Sequence, residues 1–226
     1  MEPTQTDDDG EAAIETAILA VYPGADILRF GSRKCRTFQL AGCVAMRVEE
    51  PVPHWLLVSR GFTELGEKEE EDPDVSGWGF ELTCRVPAPS EEVEFGWVID
   101  WMQGIADSLA AEGTFLEPFH NMPMTDASSD DEICALVFVE DVALHPSTSR
   151  NGKFSFLQMV GLTTGELEAL YRWSARPMVE LMRQRNPLFL IDKRESYLRD
   201  VLSSQRPNAF PNLTILGDRS PSPAGG

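Results

Sequence analysis

The sequence predicts an α+β domain, with a central mixed and largely antiparallel sheet and helices packed against it. Three patterns carry that expectation. From Trp78 to Val86 the side chains alternate, with Trp78, Phe80, Leu82, Cys84 and Val86 on one side and Gly79, Glu81, Thr83 and Arg85 on the other. That is the period-2 signature of a strand with one buried face. Residues 133–139 are apolar at every position, as in a central strand covered on both sides. Residues 94–112 place Phe95, Val98, Met102, Ile105 and Leu109 at helical spacing, and Gly113 supplies a stop. The elements do not alternate as regular βαβ units, which argues against a wholly parallel sheet.

Taken in order, the chain opens with an acidic, disordered stretch over residues 1–10. A helix starts near Asp9, a suitable N-cap, carries Ile14, Ile18 and Val21 on one face, and ends at Pro23-Gly24. Strands follow at 25–30, 35–40 and 43–49. Pro51 and Pro53 then break the chain before a strand at 54–60. This strand is expected to pair antiparallel with 78–86 across a charged, exposed loop over residues 63–77. Trp97 and Trp101 lie one turn apart on the 94–112 helix and broaden the face that packs on the sheet. The segment 114–131 reads as irregular, and Phe154 to Leu162 as a strand.

Thr163-x-x-Glu166 is a capping box for a helix with Leu167, Leu170 and Tyr171. Pro177 kinks or splits that helix before Met178, Leu181 and Met182. Leu188–Ile191 reads as a short buried strand and 195–202 as a short helix. The single domain is therefore placed over residues 11–202, with a disordered Pro-, Ser- and Gly-rich tail from 203 to 226.

Charge is the second strong feature. The formal net charge is −18. Residues 86–149 hold 13 acidic groups and no Lys or Arg, whereas residues 150–226 hold 11 basic against 7 acidic groups. Direct binding to nucleic acid or to an anionic membrane gains nothing from such a surface. A basic protein partner does gain, although charge also serves plain solubility. The densest cluster is Glu67, Glu69, Glu70, Glu71, Asp72 and Asp74 against the single Lys68, and these six acids are the candidate partner-binding residues.

Catalytic and metal signatures are missing from the sequence. Cys35, Cys43, Cys84 and Cys134 form no Cys-x-x-Cys pair and read as small hydrophobes or isolated thiols rather than a disulfide framework. Cys35, Cys43 and His54 fit no common zinc spacing. His54, His120 and His145 stand in no nucleophile–base pattern, and no nucleophile elbow, phosphate loop or dinucleotide fingerprint occurs. No cofactor and no metal are expected. The acidic amino terminus has no apolar run and no segment is long enough to span a bilayer, so a cytoplasmic protein is expected; the sequence does not fix the oligomeric state, and a monomer is favoured.

The strand beginning His54-Trp55, the strand Ser76-Gly77-Trp78-Gly79-Phe80-Glu81-Leu82-Thr83 and the later Phe156-Leu157-Gln158-Met159-Val160-Gly161 occur in the order seen in suppressor of fused domains. The chain resembles that family over residues 14–202. The resemblance implies a non-enzymatic protein-binding module and assigns structural roles to His54, Trp55, Gly77, Trp78, Gly79, Phe80, Glu81, Gln158 and Gly161. Glu81 is expected to make a cross-strand or loop hydrogen bond, ahead of general-base chemistry, and Gln158, a polar residue in an apolar strand, is expected to fix the adjacent loop. Stand-alone bacterial relatives suggest an immunity protein that binds and neutralises a toxin. Eukaryotic relatives suggest the alternative of an adaptor that captures a linear peptide by strand addition, and an enzyme of unrecognised chemistry stands third.

Overall fold

The computed structural model describes residues 9–31, 38, 40–68, 72–88, 95–124, 132–192 and 196–198. The expected disordered ends, the Glu69–Glu71 part of the acidic loop, most of the 35–40 strand and most of the 195–202 helix lie outside them. Helix α1 (Asp9–Val21) is followed by strands β1 (Leu28–Gly31), β2 (Gly42–Val48), β3 (His54–Arg60) and β4 (Val75–Pro87). Helix α2 (Gly96–Glu112) leads to β5 (Asn121–Pro123), β6 (Ile133–Glu140), β7 (Ser147–Ser149) and β8 (Gly152–Thr163). Helices α3 (Thr164–Arg172) and α4 (Ala175–Arg185) complete the described elements.

The strands form one sheet in the order β1-β2-β3-β4-β8-β6-β5, with β7 paired to β8. Every pairing is antiparallel except β4 with β8, which is parallel. The α+β reading and the antiparallel β3–β4 pair are thus as the sequence predicts, with Trp55 opposite Val86 and Leu57 opposite Cys84.

Both faces of this sheet are covered. On one, α2 lays Val98, Met102, Ile105 and Leu109 over Phe80, Leu82, Cys84, Leu136, Phe138 and Met159. Gly113, in the left-handed conformation, ends α2 with its N–H on the Leu109 carbonyl. On the other face α1 brings Ile14 and Ile18 to Val44, Met46, Leu56, Val58, Phe154 and Phe156. Further along that face, Leu170, Met178, Val179 and Met182 of α3 and α4 pack on Ala135, Val137, Val160 and Leu162. The residues between these two patches are the second face of β4, and they are polar.

Five expectations change. The polar side of β4 is not solvated: Glu81, Thr83 and Arg85 are fully buried, because helices cover both faces of the sheet. Among the described residues of the 63–77 loop, only Glu67, Asp72, Pro73 and Asp74 are exposed. Lys68 Nζ donates to the Val75 carbonyl at 2.6 Å and the Asn151 carbonyl at 2.7 Å, and lies 3.3 Å from Glu64 Oε2, so the one cation pairs with Glu64 and anchors the stretch. The segment 114–131 contributes β5, an edge strand too short to show periodicity. Leu188–Ile191 forms no strand; Ile191 N–H instead bonds the Arg85 carbonyl at 2.8 Å. Pro177 falls in the first turn of α4, where its missing N–H costs nothing, and the helix pair is split one step earlier, at Trp173-Ser174.

Candidate functional site

The motif residues converge on the centre of the sheet. Val75 pairs with Lys153 and Phe80 with Ser155, so the four residues Ser76 to Gly79 stand against Phe154 alone. This bulge is made by glycine. Gly77 has φ +53° and a Cβ there would lie 2.6 Å from the Phe62 carbonyl oxygen, so any side chain is excluded. Gly79 has φ +78°. The bulge turns Trp78 onto Phe62 and Phe38, at ring separations of 5.5 and 5.1 Å, and delivers Phe80 into the α2 face of the core.

Glu81 then faces the other way. One carboxylate oxygen accepts the N–H groups of Gly61 and Thr63 at 3.0 and 2.9 Å and the Thr63 hydroxyl at 2.7 Å; the second accepts the Ser59 hydroxyl at 2.5 Å. Burial pushes the Glu81 carboxyl above its ordinary range, opposed by those hydrogen bonds. The carboxylate fastens the turn that follows β3.

Two positions on, Arg85 makes a two-pronged pair with Asp141 at 2.6 and 2.8 Å, and Thr83 donates to the same carboxylate at 2.5 Å. Asp141 also accepts the Ala143 and Leu144 N–H groups, each at 2.8 Å. Although desolvation acts against it, the Arg85 guanidinium and these donors hold the Asp141 carboxyl below its usual range. Gln158 completes the row, donating to the Leu188 carbonyl at 2.7 Å and accepting the Val142 N–H at 3.4 Å. Gly161 lies opposite Leu136, where a Cβ would come 3.0 Å from the Ile133 side chain. His54 and Trp55 are buried at the start of β3, with His54 Nδ1 2.8 Å from the Val52 carbonyl oxygen. Burial lowers the His54 pKa and keeps the ring neutral.

This seam contains an acid, a base and a hydroxyl, yet it is sealed from solvent and each member is engaged in holding a loop. Burial pushes the Cys43 and Cys84 thiols up to about 12, so neither is a nucleophile at neutral pH. Among the described residues, no three His, Cys, Asp or Glu side chains are grouped to hold a metal, and no helix is long and apolar enough to cross a membrane.

The suppressor of fused protein (SUFU) family matches residues 27–194. The chain belongs to the suppressor of fused family. The human suppressor of fused homologue is 31% identical over 140 residues, a stretch that covers 58% of this chain and 28% of the human protein. The chain thus spans less than a third of that relative's length. The fold matches a chain of the Sufu–Fu complex with a TM-score of 0.71 at 21% identity, covering 86% of this chain and 94% of that one. A suppressor of fused homologue from Neisseria gonorrhoeae superposes with a TM-score of 0.57 at 11% identity, covering 85% and 96%.

The motif residues of this suppressor of fused chain therefore form its interior, while the acidic residues lie outside it. Glu67, Asp72 and Asp74 are exposed, and Asp72 accepts the Asp74 N–H at 2.9 Å. Glu69, Glu70 and Glu71 fall outside the described residues. Sequence reasoning missed Asp141, Arg85 and Thr83 as a unit. Their only signal was polarity at alternate strand positions, which reads as solvent exposure unless the second covering layer is known.

Proposed function

We propose that this suppressor of fused chain is a non-enzymatic protein-binding module that engages a basic partner, most concretely as an immunity protein that blocks a basic toxin. The observation that carries the reading is the charge map on the fold. The segment without Lys or Arg builds α2, β5 and β6, and Asp100, Glu112, Glu117 and Glu140 on it are exposed, as are Glu67, Asp72 and Asp74 of the acidic loop. A surface of one sign speeds the encounter with an oppositely charged protein. The Sufu–Fu complex supports the reading as a case in which this fold holds another protein.

The test is to search the genes beside this one for a secreted protein with a C-terminal toxin domain, co-express that domain with this chain and run surface plasmon resonance on the purified pair; a neighbourhood without such a domain would count against the immunity role. Rescue of growth is expected, with an association rate that falls with salt and in the Glu67→Lys/Asp72→Lys/Asp74→Lys variant, and little change in dissociation. Continued toxicity with no complex would discard the immunity role, and an association rate indifferent to salt and charge would discard the acidic surface. A second reading, capture of a linear peptide by strand addition, is favoured by the sheet edges: among the described strands β1 pairs only with β2 and β5 only with β6.

A further inference from the structure

A cavity away from the buried seam lies between α4 and the end of β6. It has a volume of about 380 Å³, within the range of ligand pockets. Val139, Val142 and Val179 line it together with Phe119 and Phe189. Those two phenylalanines are also the two described non-glycine residues with positive φ, +72° and +51°. Such backbone conformations are costly for a bulky residue and gather at ligand clamps. Here both sit on one cavity.

Arg176 and Arg183 stand on its rim, seven residues and two helical turns apart on one face of α4. Arg176 holds its guanidinium 4.7 Å from the Phe119 ring centroid, which fixes it in place while leaving its N–H donors unspent. Glu140 and Glu180 share the rim. Glu180 stands one turn from each arginine, yet no ion pair joins either guanidinium to a described carboxylate. The α4 side of the pocket comes from residues 150–226, which carry 11 basic and 7 acidic groups, and the Phe119 and Val139 side from the segment without Lys or Arg.

The geometry points to a second docking site, for an acidic hydrophobic peptide segment of a partner protein. An aromatic or aliphatic side chain of the segment fills the valine-lined floor between Phe119 and Phe189, and an adjoining carboxylate takes the paired guanidinium donors of Arg176 and Arg183. Glu140 and Glu180 balance the two arginines in formal charge, so the site selects a carboxylate through its unpaired guanidinium donors and not through a basic field, and it does not depend on the basic-partner reading.

Fluorescence anisotropy with four labelled decapeptides tests it, using the full chain: one with a Phe-Asp-Leu-Glu core, its Phe-Asn-Leu-Gln twin, its Phe-Lys-Leu-Lys twin and its Ser-Asp-Ser-Glu twin. The acidic hydrophobic peptide should bind about tenfold or more tighter than each twin, because both the bidentate charge pair and the apolar anchor are needed. Arg176→Gln/Arg183→Gln should remove about that factor, whereas Arg172→Gln, an exposed arginine outside the pocket, should change affinity less than about twofold. All these arginines are exposed, so the melting temperature should hold. Val142→Phe, which fills the floor, should weaken binding independently of charge. No binding at millimolar peptide, equal binding of the neutral twin, or an equal loss in Arg172→Gln would overturn the proposal.

Discussion

The two faces of β4 are made by the same nine residues, 78–86, and both are buried, yet they hold the molecule together by different physics. Phe80, Leu82, Cys84 and Val86 meet α2 in a face without charge, where stabilisation follows from apolar area removed from water. Glu81, Thr83 and Arg85 meet Ser59, Thr63 and Asp141, where each group is worth little net but expensive to leave unpaired. The apolar face tolerates a change of shape by local collapse. The polar face tolerates only changes that leave no orphan. It also does what the apolar face does not: it fixes the turns at 61–63, 141–144 and 188–191 to the centre of the sheet.

The sharpest break is Asp141→Ala. It strands the Arg85 guanidinium in a site with no solvent exposure, and loss of one partner of a buried pair costs about 3–5 kcal/mol. The double change Arg85→Met/Asp141→Leu removes both charges and should recover part of that loss in urea denaturation, while the Thr83 hydroxyl and the Ala143 and Leu144 N–H groups still lose their acceptor. A double variant as unstable as the single one would show that the polar face is required for itself and not merely for pairing.

Phe80→Ala probes the opposite face. The side chain is 3% exposed and stacks on Phe62 at 5.0 Å, so about 3–4 kcal/mol should be lost. A loss below about 1 kcal/mol would mean that the α2 face collapses around the cavity. Glu81→Gln comes next. Gln keeps an acceptor for the Thr63 and Gly61 donors but turns an amide toward Ser59, whose hydroxyl already accepts the Leu82 N–H at 2.8 Å. About 1–2 kcal/mol is expected, with faster hydrogen exchange confined to the 61–63 turn.

Much of the apolar face was legible in the sequence because its period is local. The alternation from Trp78, the helix stripe ending at Gly113 and the continuous run at 133–139 each need only a few neighbours to be read. The polar face was not. Arg85 and Asp141 are 56 residues apart, and alternate polar residues on a strand mean solvent until a second layer of helices is known to cover them. The bulge at Ser76 to Gly79 escaped for a related reason: glycines that alternate with aromatic residues imitate a regular strand, and only the β8 register shows that they leave it. Leu188–Ile191 misled in the opposite sense, since apolar residues that fasten a turn to the Arg85 carbonyl look like a strand when burial alone is read. The acidic cluster was legible as charge, but its Lys68 anchor depends on Asn151, 83 residues away.

The smallest expected effect lies where the polar face meets the start of β3. His54 is buried, its Nδ1 is engaged with the Val52 carbonyl, and its Nε2 makes no hydrogen bond. Desolvation is the first cause that lowers its pKa, and Arg85 adds repulsion, against the Val52 contact and Asp141, which act to raise it. In the unfolded chain an ordinary histidine takes up a proton near pH 6.5. The folded state resists that proton, so below the unfolded value the unfolded chain binds more protons and is favoured. The contribution from His54 is therefore fully present above about pH 6.5 and is lost as pH falls toward the lowered folded value, at no more than about 1.4 kcal/mol per pH unit. Asp141, held below its usual range, adds a loss only at still lower pH. Denaturation of the protein and of His54→Gln between pH 7.5 and 5 isolates the term by difference: the wild-type chain should lose stability relative to the variant as the pH drops. Parallel curves would show that His54 titrates alike in both states, and that the polar face does not extend to the start of β3.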